Sequence, residues 1–447
     1  MRQEKGATAL LLCASTIFVS AFLLFLVQPL IARQILPWFG GSAAVWTLCL
    51  VFFQVLLLLG YFYADRLSRR PLATQAVVHA LLLVAACAML PVIPDAALKP
   101  TGQDDPAAGV LAVLAATIGL PYLAVCTTGP LVQSWVARLH AGDAPRQARV
   151  YRLFALSNLA ALVALVVYPF VLEPAFTLHA QAVAWSAGFG LFAVLAIVSV
   201  VAVRKARPDR IGSEAVVPGA AAAGAQAARL PWALQVLWLV LAALGTVALL
   251  AVSAFITQDI ASVPLLWIVP LALYLLSFVL CFDSDRWYRR WLFWPAVLLL
   301  TPAMGWYLST PQRSLPIAAA IGLFCTGLLA ICMFANGELA RARPGPAQLT
   351  RFYLLLALGG AAGGIFAGVL APHLFNGYWE LPASLAVPGL VMLWLSRARQ
   401  QWVWFVFALL VVVGFAYFLK LAAVAVSTNV FYASIAAMPA SAAGYTA

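Results

Sequence analysis

Long apolar runs, broken by short polar interruptions, organise the chain. They cover 8–32, 43–64, 74–94, 108–135, 150–172, 180–203, 232–257, 263–282, 291–308, 315–335, 352–374, 380–396 and 402–423. A helix rising about 1.5 Å per residue needs roughly 20 residues to cross the hydrocarbon core. The pattern therefore predicts thirteen spanning helices and an all-α, polytopic membrane protein. Pro29, Pro121, Pro130 and Pro270 fall in or near these helices and predict kinks. Residues 8–32 are too long for a signal peptide and lack a small-residue cleavage site before Gln28-Pro29-Leu30, so they read as a retained span.

Composition agrees: 65% of the 447 residues are hydrophobic and 9% charged, against about 25% charged in a soluble domain. The net charge of +12 matters through its distribution. With the N-terminus in the cytoplasm, 22 of the 26 lysines and arginines fall in cytoplasmic segments. That is the asymmetry that orients membrane proteins. The arginines are spread over seven loops with no aromatic-interleaved patch, which excludes a nucleic-acid partner. Cys13, Cys49, Cys87, Cys126, Cys281, Cys325 and Cys332 stand singly in apolar runs and read as buried thiols. His79, His140, His179 and His373 are too dispersed to predict a metal site, and no cofactor motif occurs.

The charged punctuation repeats. "YADRLSRR" at 63–70 returns as "DSDRWYRR" at 283–290. "RVYRLFALSN" at 149–158 returns as "RFYLLLALGG" at 351–360, sharing R-x-Y-x-x-x-A-L. Pro169 and Pro372, Ala-Arg at 137–138 and 340–341, and "VSAF" at 19–22 and 252–255 follow suit. Each echo falls in the corresponding helix of a second set of six. Six is even, so both sets cross in the same sense, as a parallel repeat about the membrane normal with a ligand cavity expected between them. The predicted organisation is a six-helix half (1–204), a cytoplasmic linker (205–230), a second six-helix half (231–399), and an extra helix with a short tail (400–447).

Every carboxylate falls in a loop or at a helix end. Asp259 marks the outer mouth and Glu338 the inner one. A carrier of polyamines driven by protons would want carboxylates in its path, so this reading loses weight. The neutral polar residues either make interhelical hydrogen bonds or line the cavity. The cavity candidates are Gln28, Gln54, Asn158, Gln258 and Asp259. The cytoplasmic loops carry gate candidates Asp65, Arg66, Arg69, Arg70, Asp285, Arg286, Glu338 and Arg351, or these residues serve only topology. A gate would pair Asp65 with an arginine of the other half. Glu338 stands one turn from Arg341, predicting a local ion pair. "LGGAAGGIFAG" at 358–368 predicts close helix packing, not a phosphate loop.

"DRLSRR" resembles the loop signature of the major facilitator superfamily, with Tyr61 and Ser68 where its glycines would stand. "LLFLVQPLIARQILPWFGGSAAVW" (23–46), "SVPLLWIVPLALYLLSFVLCFDSD" (262–285) and "LTRFYLLLALGGAAGG" (349–364) resemble the membrane half of the bacterial fused spermidine-synthase-like membrane proteins. In "MFANGELAR" (333–341), Ala335 and Asn336 replace the Cys-His that family often carries. The resemblance implies a facilitator-like 6+6 core in the bacterial inner membrane. No strand with a glycine-rich nucleotide loop occurs, so a catalytic synthase domain is not expected in this chain. Two functions follow: a permease for a small polar solute, or a non-transporting module serving a separate, soluble synthase-like (polyamine) enzyme.

Overall fold

The computed structural model describes residues 2–39, 43–99, 106–140, 150–206, 231–260, 266–309, 315–345, 348–371, 380–398 and seven positions between 402 and 413. Most of the linker expected at 205–230 and of the thirteenth helix expected at 402–423 lies outside the described residues. So do the 414–447 tail, His373 and the side chain of Gln258.

Among the described residues twelve long helices follow in order: α1 (Arg2–Phe39), α2 (Ala43–Ser68), α3 (Leu72–Cys87), α4 (Pro106–Leu139), α5 (Tyr151–Val167), α6 (Leu178–Ala206), α7 (Trp232–Phe255), α8 (Ile268–Asp283), α9 (Arg290–Ser309), α10 (Ile317–Arg341), α11 (Leu349–Ile365) and α12 (Glu380–Ala398). No strand occurs among the described residues. Nine of the described helices are long and apolar enough to cross a bilayer; α3, α8 and the apolar part of α12 are shorter. Leu81, Leu191 and Leu299 point outward, as lipid-facing residues do. The chain is a multi-pass membrane protein.

The helix ends explain the departures from the apolar pattern. α3 stops at Cys87 although hydrophobicity runs on to 94, because Pro91 and Pro94 cannot continue it. α10 runs past 335 to Arg341 and so carries Asn336 and Glu338 into the protein. α5, α7 and α11 each pass into a π turn, at Tyr168–Leu172, Ile256–Ile260 and Phe366–Leu370. Such turns absorb a wide local winding.

Packing displays the duplication. Within the first six helices, α1 packs on α4, α5 and α6, and α2 on α4. Six positions later, α7 packs on α10, α11 and α12, and α8 on α10. The two sets meet through α2 with α11 and α5 with α8. Advancing each helix by six exchanges these two seams, as a pseudo-two-fold axis demands.

Glycines set one distance. A Cβ on Gly359 would lie 2.5 Å from the Leu239 carbonyl oxygen of α7, and one on Gly363 2.7 Å from that of Ala243. On the next face, a Cβ on Gly360 would sit 3.5 Å from Thr246 Oγ1, an ordinary contact. Gly359→Ala or Gly363→Ala should each lower unfolding free energy by about 1–3 kcal/mol, since backbone must yield. Gly360→Ala should be close to neutral. Thermal unfolding in detergent distinguishes them.

Candidate translocation site and gate

A cluster of neutral polar groups, called the ring below, reaches into both halves. On α1 and α4, the Gln28 amide and the Tyr122 hydroxyl are 3.4 Å apart. Tyr122 neighbours Tyr61 of α2, which neighbours Cys126 of α4 and Tyr274 of α8. Tyr274 lies near Thr246 of α7, whose hydroxyl donates to the Ala242 carbonyl at 3.2 Å. Tyr61 also lies near Tyr353 of α11, whose hydroxyl donates to Gln133 Oε1 of α4 at 2.6 Å. The ring holds six helices' worth of hydroxyls and amides and no carboxylate or cation. Its donors and acceptors suit a solute that exchanges hydrogen bonds.

The described hydrogen bonds and ion pairs that cross between the halves gather at one end, where α2, α4, α8 and α10 finish and α5 and α11 begin. Thr350 donates to Asp65 Oδ1 at 3.1 Å, and its hydroxyl lies 3.2 Å from that of Ser68. The carboxylate is the stronger acceptor for its single proton. Asp65, only 2% exposed, also takes Arg69 Nη2 at 2.6 Å. It sits at the positive N-terminal end of α11. Across the second seam, Arg152 reaches the Asp283 carbonyl at 3.2 Å and its carboxylate at 3.9 Å. The Tyr151 hydroxyl donates to the Pro344 carbonyl at 2.6 Å. Beneath lies an aromatic plug: Phe154 stands 4.8 Å from Phe282, 4.9 Å from Tyr353 and 5.6 Å from Phe278 between ring centroids. At the opposite end, the Arg33–Glu173 pair at 2.7 Å stays within the first half.

Each half braces its own corner. In the first, Gln75 donates to the Arg70 carbonyl at 2.7 Å and accepts from Trp135 at 2.7 Å, while Arg138 bonds the Ser68 carbonyl. In the second, Glu338 is 2% exposed and accepts from Arg290 through both oxygens. Tyr288 donates to it at 2.8 Å and Trp294 lies 3.3 Å away. Burial first, and then the Glu338 charge, push the Tyr288 phenol well above its ordinary value. A raised folded value means the contribution is complete below about pH 10, the unfolded value, and is lost only as pH climbs beyond it.

Placement of the candidates is mixed. Gln28 and Gln54 are half-buried; Gln54 faces Gly364 across the α2–α11 seam. Asn158 is half-buried and donates to its own helix at Phe154 O, 2.8 Å away. It shares a helical stripe with Phe154, Ala161 and Leu165, which meet α8. Asp259 is half-buried in the π turn beyond α7. Asp65 meets Thr350 of the other half, not the exposed Arg351: the hydroxyl at the second residue of α11 points inward and the arginine beside it points out. Glu338 pairs with Arg290 and not with Arg341, which is exposed, because α10 turns position 338 into the protein and 341 away. Asp285 meets Arg343 at 3.6 Å within one half. Arg66 lies 4.9 Å over the Phe62 ring, while Arg70 and Arg286 are exposed. Tyr61, Tyr122, Tyr274, Tyr353, Gln133 and Thr246 escaped sequence reading. Tyrosine is ordinary in apolar helices, and only the recurrence of Tyr61, Tyr274 and Tyr353 close to the repeated motifs could have flagged them. Among the described residues no cluster of histidine, cysteine or carboxylate is placed to hold a metal ion.

No protein-family model and no curated protein matches this sequence. Solved structures do resemble it. The proton:xylose symporter XylE bound to 6-bromo-6-deoxy-D-glucose aligns at TM-score 0.55 and 12% identity, over 91% of this chain and 95% of that one. A bacterial homologue of the iron transporter ferroportin in its outward-facing state aligns at 0.52 and 14%, over 91% and 99%. The peptide transporter POT in complex with sulfate aligns at 0.50 and 15%, over 91% and 94%. At such identities the likeness establishes the fold, which is that of the major facilitator superfamily.

Proposed function

We propose that the protein is a transporter that carries a small, uncharged polar solute between its two six-helix halves by alternating access. The carrying observation is the cluster of hydroxyls and amides that joins both halves, next to the end at which the described cross-half hydrogen bonds and ion pairs gather. Transport of sugars, peptides and iron by the structural neighbours supports the general activity. The ring residues carry no charge, and the one carboxylate assigned to the pathway, Asp259, lies beyond α7 at the outer mouth, which argues against iron and polyamines as cargo. Gln28, Gln54, Asn158, Gln258 and Asp259 are assigned to the pathway with the ring tyrosines. Asp65, Arg69 and Thr350, with Arg152 and Asp283, form the gate. The arginine distribution supports a cytoplasmic N-terminus in a bacterial inner membrane, which makes the sealed end cytoplasmic. The halves then run 1–204 and 231–399, joined by a cytoplasmic linker at 205–230.

Counterflow in proteoliposomes tests this with neutral sugars, polyols, nucleosides, amino acids and polyamines. Tyr61→Phe and Tyr274→Phe should each raise half-saturation about 2- to 12-fold, the worth of one neutral hydrogen bond. Exchange of polyamines ahead of every neutral solute would overturn the uncharged cargo. No exchange of any solute would overturn transport.

One observation favours a second reading. The string that resembles spermidine-synthase-like membrane proteins, 349–364, contains Thr350, Tyr353, Gly359 and Gly363, which hold the seam and the α7–α11 contact. The resemblance thus reaches the interior. A module that serves a separate synthase-like soluble protein would co-purify with that enzyme and show no counterflow.

A further inference from the structure

The loop from α8 to α9 alternates sharply between inside and outside. Tyr288 and Arg290 turn in and close on Glu338. Arg286, Trp287, Arg289 and Trp291 turn out, the tryptophans 53% and 65% exposed. Because the inward residues are clamped, the outward four are presented on a rigid frame. The carboxylates of this corner are already engaged: Asp283 with Arg152, Asp285 with Arg343 and Glu338 with Arg290. Arg286 and Arg289 make no ion pair among the described residues. Two guanidinium groups without an ion pair among the described residues therefore lie beside two exposed indoles at the end where the apolar helix α9 starts. α12, which packs on α9, carries Trp394 and Arg397 exposed in its last two turns. The repeat-related loop of the first half differs. It has no tryptophan, Arg69 is paired with Asp65, and Arg66 covers Phe62.

We propose that Arg286, Trp287, Arg289 and Trp291 form a binding site for an anionic phospholipid, specific to the second half. The guanidinium groups take the phosphate and headgroup charge, bidentately where geometry allows. The indoles sit at the acyl–headgroup boundary, which such rings prefer. Each arginine at a membrane surface is worth about fivefold in affinity for anionic lipid, and the pair about 25-fold. By bracing the corner beside Asp285 and Asp283, the bound lipid loads the same loop that supplies the gate's second seam.

The test is lipid binding by native mass spectrometry on the full-length, detergent-solubilised protein. Phosphatidylglycerol should be retained at least tenfold more tightly than phosphatidylcholine. Arg286→Gln with Arg289→Gln should cost about 25-fold in phosphatidylglycerol affinity and leave phosphatidylcholine binding and the unfolding temperature unchanged, since both side chains are exposed. Trp287→Ala with Trp291→Ala should weaken both lipids. Arg66→Gln with Arg70→Gln should leave binding intact. Equal affinity for the two lipids, an unaffected Arg286/Arg289 variant, or an equal loss from the Arg66/Arg70 variant would each overturn the site. Competition by millimolar inorganic phosphate would overturn its assignment to lipid.

Discussion

Glu338→Ala should lower unfolding free energy by about 3–5 kcal/mol, the usual consequence of removing one partner from a buried ion pair. The Arg290 side chain is 14% exposed and would keep its charge without a counter-ion. Tyr288 and Trp294 would each lose an acceptor in a buried setting. Gly337, one residue before, packs its backbone on the Tyr288 ring, so no water-filled gap is ready to compensate. Replacing both charges, Glu338→Met with Arg290→Met, should recover most of the loss, because the desolvation cost disappears with the pair. Asp285→Ala is the control. Its partner lies 3.6 Å away and its own side chain is 77% exposed, so stability should change by no more than about 0.5 kcal/mol. Denaturant unfolding in mixed micelles reads all three. A Glu338→Ala variant as stable as the Asp285→Ala control would show that the clamp does not hold the corner.

Asp65→Asn should loosen the gate. The carboxylate joins Arg69 on its own helix and Thr350 on the opposing half. Charge-assisted bonds of this kind contribute about 1.5–3 kcal/mol, so the equilibrium between sealed and open should move about 10- to 150-fold toward open. A cysteine placed at Asn158, one turn inside the Phe154 plug, reports the change. Its labelling by an impermeant thiol reagent, applied from the sealed side, should accelerate accordingly. Thr350→Ala alone should give a smaller acceleration, and the double variant should fall short of additivity, since both lesions break the same contact. An unchanged labelling rate in Asp65→Asn would remove Asp65 from the gate.

The candidate site was only partly legible in advance. Asp65 stood out because it is charged, repeated and next to an apolar run. Its partner did not, because Thr350 lies 285 residues away and a threonine after a glutamine and a leucine carries no signal. Glu338 was visible as a carboxylate near a helix end, yet periodicity offered Arg341 one turn on. The choice of Arg290, 48 residues earlier, depends on which way α10 is rotated against α9. The tyrosine ring was silent for a related reason. A tyrosine facing lipid and one facing a partner half look alike in sequence, and hydropathy weighs both the same.

Sequence by itself determined the solvent, the secondary structure and the order. The apolar runs can satisfy their backbone groups in a bilayer only as helices or closed barrels, and runs of this length specify helices, as the first twelve do. The recurrence of Arg-x-Tyr and of the Asp-Arg loop located the duplication, because equal units placed by a symmetry axis need equal corners. Tertiary structure decided which helices meet and which side chains share a face. Those are properties of rotation and distance between helices, set by contacts as close as Gly359 to the Leu239 carbonyl. No one-dimensional period encodes them. It was therefore the folded chain that brought Tyr61, Tyr122, Tyr274 and Tyr353 together and set Asp65 against Thr350, the contacts on which the proposed pathway and gate rest.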